Sequence, residues 1–482
     1  MKKAIILLAR LTPKTHNKIS QILDSDKNVD IFTNQLLPDY FEHFSIYPFE
    51  IDAIQKKNIN YDSIHKIKLF ESKLIQNKSV TTFFYLNNTS LWHYQKFRIY
   101  FQFRNFNYKQ AAINAVCQNH DEVHLLDEST ELFNDWNLPD NLTIHKIPTN
   151  QKKAGINLIT GLNYALFFFI RAFIGFFQQW KSKGFEHMVI DHAQKQHCIV
   201  PKTQLLKPDN YNLCYLFEKL NSKFVILDDV DVVKINNKNT FRTNQHRILK
   251  TDHRKYLYGE FILMKGLLSL KTWKSFKTIR SQYVTAINNL SQAKLNPSEK
   301  TILNYFIALK KTNLFFLFKN LAYFSFFYKK QIKTISTIDE NSPRIKSILD
   351  AAKKSGIKTI GIQHGNIHDL HPAYLYSDRD HMMKIPTDYT LVWGKEWQHF
   401  LETKGHYPSE SLVVTGQIRT DIIPELQRKA INKADQNLAI ARKKVLFASQ
   451  PQRDPELRYK AAFDMFTAVK NLENVILTVK LQ

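Results

Sequence analysis

The chain of 482 residues carries only three cysteines, Cys117, Cys198 and Cys214, scattered with no CxxC pair. That excludes a disulfide framework and points to reduced thiols in a cytoplasmic chain. No G-x-G-x-x-G follows the first apolar run, so a dinucleotide fingerprint is missing. The basic start Met1-Lys2-Lys3 leads into an apolar run that meets Arg10 at once, too short for a signal sequence and better read as a buried strand. Acidic residues are in deficit: 68 Lys and Arg stand against 43 Asp and Glu, a formal charge of +25. The surplus predicts an anionic partner such as a nucleotide, a polyanion or the inner face of a membrane. No helix-turn-helix, ribonucleoprotein signature or zinc finger accompanies it, so nucleic acid is not the expected partner.

Hydrophobic residues make up 44% of the chain, enough for a globular protein of two or three domains. Ala4–Leu8, Thr15–Leu23 and Val29–Phe32 alternate as strand, helix and strand, the opening of a doubly wound α/β domain. Val80–Leu86 reads as a further buried run, Leu91–Phe106 as an aromatic helix suited to core packing, and Glu122–Asp127 as a strand. Two helical inserts are expected, near 155–182 and 255–331. Both are rich in Phe and bordered by Lys, as an anionic lipid surface would attract, with a buried helical insert left open as the alternative. The first, Leu158–Trp180, is long enough to span a bilayer, but Arg171 in its middle favours a helix lying in the interface, with a buried crossover helix as the alternative. Asp228-Asp229 ends another strand and reads as a solvated turn.

The sharpest signal lies further on. Thr334–Ile338 is a strand ending at Asp339-Glu340-Asn341; Pro343–Lys354 is an amphipathic helix stopped by Gly356; Lys358–Ile362 is a strand ending at Gln363-His364-Gly365. Successive parallel strands put Asp339, Glu340 and His364 side by side at the carboxyl edge, where α/β sheets bind ligands and a carboxylate can orient an imidazole base. His364, His368, His371 and His381 crowd the next loop, yet Pro372 interrupts any helix and no acid or Cys completes a set, so no metal site is expected. Asp388 with Val392-Trp393-Gly394, then Thr415-Gly416 with Arg419 and Asp421, mark two more strand ends. Residues 424–442 read as a charged helical linker closing a domain over 1–423, and Leu446-Phe447-Ala448-Ser449-Gln450-Pro451 opens a new β-α-β unit over 443–482.

In this order the motifs of the last third resemble bacterial surface-polysaccharide transferases of the GT-B type, nearest to the CDP-glycerol glycerophosphotransferase and capsule-synthesis group. The resemblance implies an α/β fold of two Rossmann-like domains with helical inserts, the second incomplete here. It implies a transferase moving a sugar or polyol-phosphate from a nucleotide-activated donor, CDP- or CMP-linked, to a surface polysaccharide or lipid-linked acceptor in capsule or teichoic acid synthesis. The donor is a substrate; no cofactor and no metal are implied. His364 would be the catalytic base, with Asp339 or Glu340 orienting it. Gln363, Gly365, Gly416, Arg419, Ser449, Gln450 and Arg453 would serve the donor. Such a chain would be a cytoplasmic protein peripheral on the inner membrane face. The family's His-Pro pair expected after Val475–Lys480 has no counterpart, so the alternative is an inactive relative acting as a binding or assembly subunit at the membrane.

Overall fold

A computed structural model describes residues 2–23, 29–35, 37–38, 41, 43–128, 136, 138–147, 158–181, 184–191, 195–199, 206–210, 212–220, 223–229, 254–328, 330–434, 443–448, 455–473 and 475–480. The chain divides into two compact units, residues 1–198 with 207–418, and residues 199–206 with 419–482.

The larger unit is α/β and holds two parallel sheets. The first is built from β1 (Lys3–Leu7), β2 (Val29–Phe32), β3 (Ser45–Tyr47), β4 (Glu122–Asp127) and β5 (Leu142–Lys146), in the order β3-β2-β1-β4-β5, every pairing parallel. Helices α1 (Pro13–Leu23), α2 (Ala53–Ser72) and α3 (Leu91–Gln118) are interleaved with them. Strands rich in Ile, Val and Leu suit such a sheet because both faces are covered. The buried run at 80–86 forms a short helix, Val80–Phe83, between two tight hairpins.

The helix read at 91–106 runs on to Gln118 as one continuous α3 of 28 residues, about 42 Å long at the usual rise. Its amino half, with Trp92, Ile99 and Phe103, packs in a mainly helical core; its carboxyl half, with Ile113 and Val116, packs under the first sheet. One helix thus ties the two cores together.

The second sheet contains β6 (His187–Asp191), β7 (Phe224–Asp228), β8 (Tyr256–Tyr258), β9 (Thr334–Thr337), β10 (Lys358–Ile362), β11 (Tyr389–Val392) and β12 (Leu412–Val414). Their order is β8-β7-β6-β9-β10-β11-β12, again all parallel. The chain winds outward from β6 to β8, returns, and winds the other way from β9 to β12. The reversal point lies between β6 and β9, the usual location for ligand binding in such sheets. Between β5 and β6 runs α4 (Leu158–Lys181); between β8 and β9 run α5 (Gly259–Leu267), α6 (Leu270–Ser291), α7 (Pro297–Ala308) and α8 (Lys310–Phe327). Asn296 and Glu299 close a reciprocal capping box around Pro297 at the start of α7. Then α9 (Pro343–Lys354) crosses from β9 to β10, ending at Gly356 with φ +76°.

Of the two readings of the second Phe-rich segment, the buried insert holds: in α8, Phe316, Leu317, Phe318, Tyr323, Phe326 and Phe327 are all buried, while Phe315 stays exposed. Asp228-Asp229 is no solvated turn. Arg171 of α4 is fully buried and pairs with Asp228 at 3.2 Å and Glu260 at 2.9 Å, its guanidinium 4.3 Å from the Tyr258 ring centroid. Lys319 reaches both oxygens of Asp229 at 2.9 Å, and Arg344 adds a contact at 3.3 Å. Burial works against the Arg171 charge, but Asp228 and then Glu260 outweigh it and raise its pKa. The arginine that seemed a cost in lipid is a rivet between α4 and the sheet.

The smaller unit holds α10 (Ile423–Ala434), β13 (Lys443–Ala448), α11 (Pro455–Lys470) and β14 (Val475–Lys480), with β13 and β14 parallel. Leu446, Tyr459, Phe463 and Ile476 are exposed in it, as expected for one β-α-β unit unable to cover both faces of its sheet.

Candidate functional site at the carboxyl edge of the second sheet

Thr337 pairs with Gly361 in the β9–β10 ladder, so the residues that follow each strand emerge side by side. Asp339 and Glu340 leave β9, Gln363-His364-Gly365 leaves β10, Trp393-Gly394 leaves β11 and Gly416 leaves β12, all at one edge. Parallel pairing alone imposes this.

Gln363 is the brace of the turn. Its Oε1 accepts from the Trp393 amide at 2.8 Å, its Nε2 donates to the Gly365 carbonyl at 3.0 Å, and its own carbonyl accepts from the Trp393 indole at 2.9 Å. Those bonds engage both ends of its buried amide and give it the role of a strut. Gly365 has open space where a Cβ would stand, so its vicinity is free for an incoming group.

His364 is half-buried, and its Nδ1 is shielded from solvent without a hydrogen-bond partner. His371 has the same property. The His371 ring stacks on Phe97 of α3 at 5.0 Å and sits 6.0 Å from the ring of His368. Burial, together with His368 and His364 and against the pull of Asp339, lowers the His371 pKa to about 4, so this ring is neutral at pH 7. The loop is held from the side of the first sheet: Lys96 donates to the Leu375 carbonyl at 2.9 Å, and Tyr61 to Asp369 at 2.7 Å. An imidazole nitrogen without a partner at a half-open edge can take a proton from a hydroxyl or hydrogen-bond an anion.

Glu340 does something other than orient His364, and no hydrogen bond joins them among the described residues. Its carboxylate turns under the sheet, where Oε2 accepts from Thr387 at 3.0 Å and Oε1 is buried without a partner. It lies against Gly361 so closely that a Cβ there would collide with Oε2. Burial raises its pKa to about 7, against the Thr387 hydrogen bond and the pull of Lys346. Lys346 of α9 is buried too, donating to Tyr376 at 2.6 Å, and burial lowers its pKa to about 8. Neither Gly361 nor Lys346 was singled out from the sequence. A glycine inside an otherwise apolar strand was the available signal, since it marks a close approach.

Other residues fall elsewhere. Asp388 sits at the opposite end of β10, its Oδ2 accepting from the Thr359 amide and hydroxyl at 2.8 Å each, and so pins the ladder. Gly416 has φ +79°, and a Cβ there would meet nothing within 4 Å. Arg419 belongs to the smaller unit. Ser449, Gln450 and Arg453 lie outside the described residues. Among the described residues no three His, Cys, Asp or Glu are placed to hold a metal ion. A cavity of about 750 Å³ lies in the helical layer, between Thr272, Ser275 and Gln282 of α6 and Leu321, Phe324 and Ser325 of α8; it includes none of the residues singled out above.

No protein-family model matches the chain, and no curated protein matches it in sequence. Among solved structures, a UDP-N-acetylglucosamine 2-epimerase from Rickettsia bellii is 12% identical over 61% of this chain and 62% of its own, with a TM-score of 0.27. A keto acid-selecting NRPS module with adenylation, ketoreductase and pseudo Asub domains is 10% identical, covering 100% of this chain and 42% of that one, with a TM-score of 0.20. The chain thus spans less than two thirds of either structure. The α/β class rests on the two parallel sheets themselves.

Proposed function

We propose that the chain is a transferase that moves a sugar or polyol-phosphate from a nucleotide-activated donor to a hydroxyl of a surface glycan or lipid-linked acceptor. The observation that carries this reading is His364: a shielded imidazole nitrogen without a partner, on the carboxyl edge of a parallel sheet, one strand from Asp339 and beside open space at Gly365.

In this reading the acceptor O–H gives its proton to His364 as its oxygen bonds to the donor's electrophilic carbon or phosphorus, and the bond to the nucleotide phosphate breaks. Asp339 stabilises the imidazolium that forms. Gln363 keeps the His364 turn in shape through Trp393. Gly416, Arg419, Ser449, Gln450 and Arg453 are proposed for the donor phosphates on the strength of the resemblance, with backbone amides and Arg419 neutralising the leaving group. Glu340 takes no proton from substrate; it sets the charge beneath the edge.

The test is turnover of CDP-, CMP- and UDP-linked donors by the wild type and by His364→Ala. A loss of about 10²–10⁴-fold is expected for a missing general base. Unchanged turnover removes His364 from the chemistry. Donor binding by calorimetry without turnover in the wild type would favour the binding-subunit reading instead.

A further inference from the structure

We infer that α4 and the corner between α5 and α6 form a surface that docks on an anionic lipid bilayer, with α4 lying along the membrane plane. The inference is independent of the transfer chemistry.

The helix is two-faced. Inward it presents Phe167, Arg171, Ala172 and Gly175; a Cβ on Gly175 would stand 2.6 Å from Phe261, so α4 and α5 lie nearly in contact. Outward it presents Leu162, Leu166, Phe169, Phe173, Phe177 and Trp180, all exposed and recurring at steps of three and four. That spacing draws a single apolar stripe along the helix. Gly161–Trp180 is apolar and long enough to cross a membrane by length and composition, yet its inner face is riveted to the sheet through Arg171, Asp228 and Glu260. A helix fixed in that way offers lipid only its outer face.

The stripe continues onto the corner. Gln179 meets Lys265 at 3.2 Å, and Phe176 meets Phe261 at 6.3 Å, so the carboxyl ends of α4 and α5 adjoin. There Leu268 is 79% and Leu270 88% exposed, and the Trp273 indole, itself exposed, donates to the Leu267 carbonyl at 2.9 Å. Leucines this open at a corner are an apolar patch that water alone does not explain.

Charge selects the occupant. Residues 158–181 contain no acid, and residues 259–291 contain one, Glu260, which is buried against Arg171. Lys265, Lys271, Lys274, Lys277 and Arg280 of the same segment are exposed. Apolar side chains framed by cations that have no ion pair among the described residues match a bilayer that offers acyl chains beneath anionic headgroups.

The test is flotation of the full chain with phosphatidylcholine vesicles and with vesicles containing phosphatidylglycerol. Binding is expected to the anionic vesicles only, and to weaken at high salt. Leu268→Ser with Leu270→Ser, at positions too exposed to hold the fold, should reduce partitioning about tenfold or more. Lys271→Glu with Lys274→Glu should reduce it at least as much. Thermal melting of each variant checks that the fold is kept. Equal binding to both vesicle types, no binding, or full binding by either variant overturns the inference. So does a stable dimer in solution that Leu268→Ser disperses, since a second copy would then own the surface.

Discussion

Two polar clusters lie at the carboxyl edge of the same sheet, and they differ in how far their charges are matched by ion pairs. Around β7 and β8 every described charge has its opposite: Arg171 with Asp228 and Glu260, Lys319 and Arg344 with Asp229. Around β9 and β10 the polar atoms are left open: Glu340 Oε1, His364 Nδ1 and His371 Nδ1 are shielded and have no partner. Buried polar groups are normally paired because an unpaired one costs free energy. The first cluster matches its charges, although Glu260 Oε2 is left without a hydrogen bond there too, and it holds α4, α8 and α9 on the sheet. The second departs further from that rule, which fold stability alone does not reward. From sequence the two looked alike, each an acidic pair at the end of an apolar strand.

If that contrast is right, breaking the first cluster damages the fold more than breaking the second. Arg171→Met should destabilise the protein by about 3–5 kcal/mol, because Asp228 and Glu260 remain buried without their partner. Urea unfolding of the full chain reads this out, and a shift under about 1 kcal/mol would erase the distinction.

Gly361→Ala comes next, at roughly 1–3 kcal/mol, since its methyl must displace the Glu340 carboxylate. The same substitution in a Glu340→Ser background should cost much less. Equal costs in both backgrounds would mean that the two residues do not press on one another.

The third effect is a pH slope. The folded Glu340 pKa, about 7, stands above the ordinary value of 4.5, so the folded state holds a proton that the unfolded state has lost. Its contribution to stability is fully present below about 4.5 and is lost as pH rises to about 7. Between these limits wild-type stability should fall by something on the order of 1–3 kcal/mol. Glu340→Gln should flatten that slope in urea titrations at about pH 5 and pH 7. Lys346 acts in a different window: its depressed pKa, about 8, makes stability rise with pH between about 8 and 10.5.

The smallest effect belongs to His364→Ala, which should change stability by no more than about 0.5 kcal/mol, because the side chain is half-buried and Nδ1 holds nothing. A loss of several kcal/mol would place His364 with the structural group around Arg171.

Local pattern made much of this fold readable. The strands at 4–8, 29–32, 334–338 and 358–362 announce themselves as short apolar runs bounded by turn residues, and Gly356 marks the end of α9. The meeting of Asp339-Glu340 with the His364 turn followed from parallel winding alone. Side-chain direction was not readable: sequence could not say that Glu340 turns beneath Gly361 or that Gln363 braces Trp393. The second Phe-rich helix could be read either way because composition is the same for a helix packed into the core and one facing lipid.

By itself, then, the amino-acid order determined the alternation of strands and helices, the basic surplus, and the placement of an imidazole on a strand end. Tertiary structure decided which charges found partners. Asp228 and Glu260 meet Arg171 across gaps of 57 and 89 positions, distances along the chain over which no local pattern reports proximity. Periodicity records which face of an element is buried; only the packed fold records what that face is buried against.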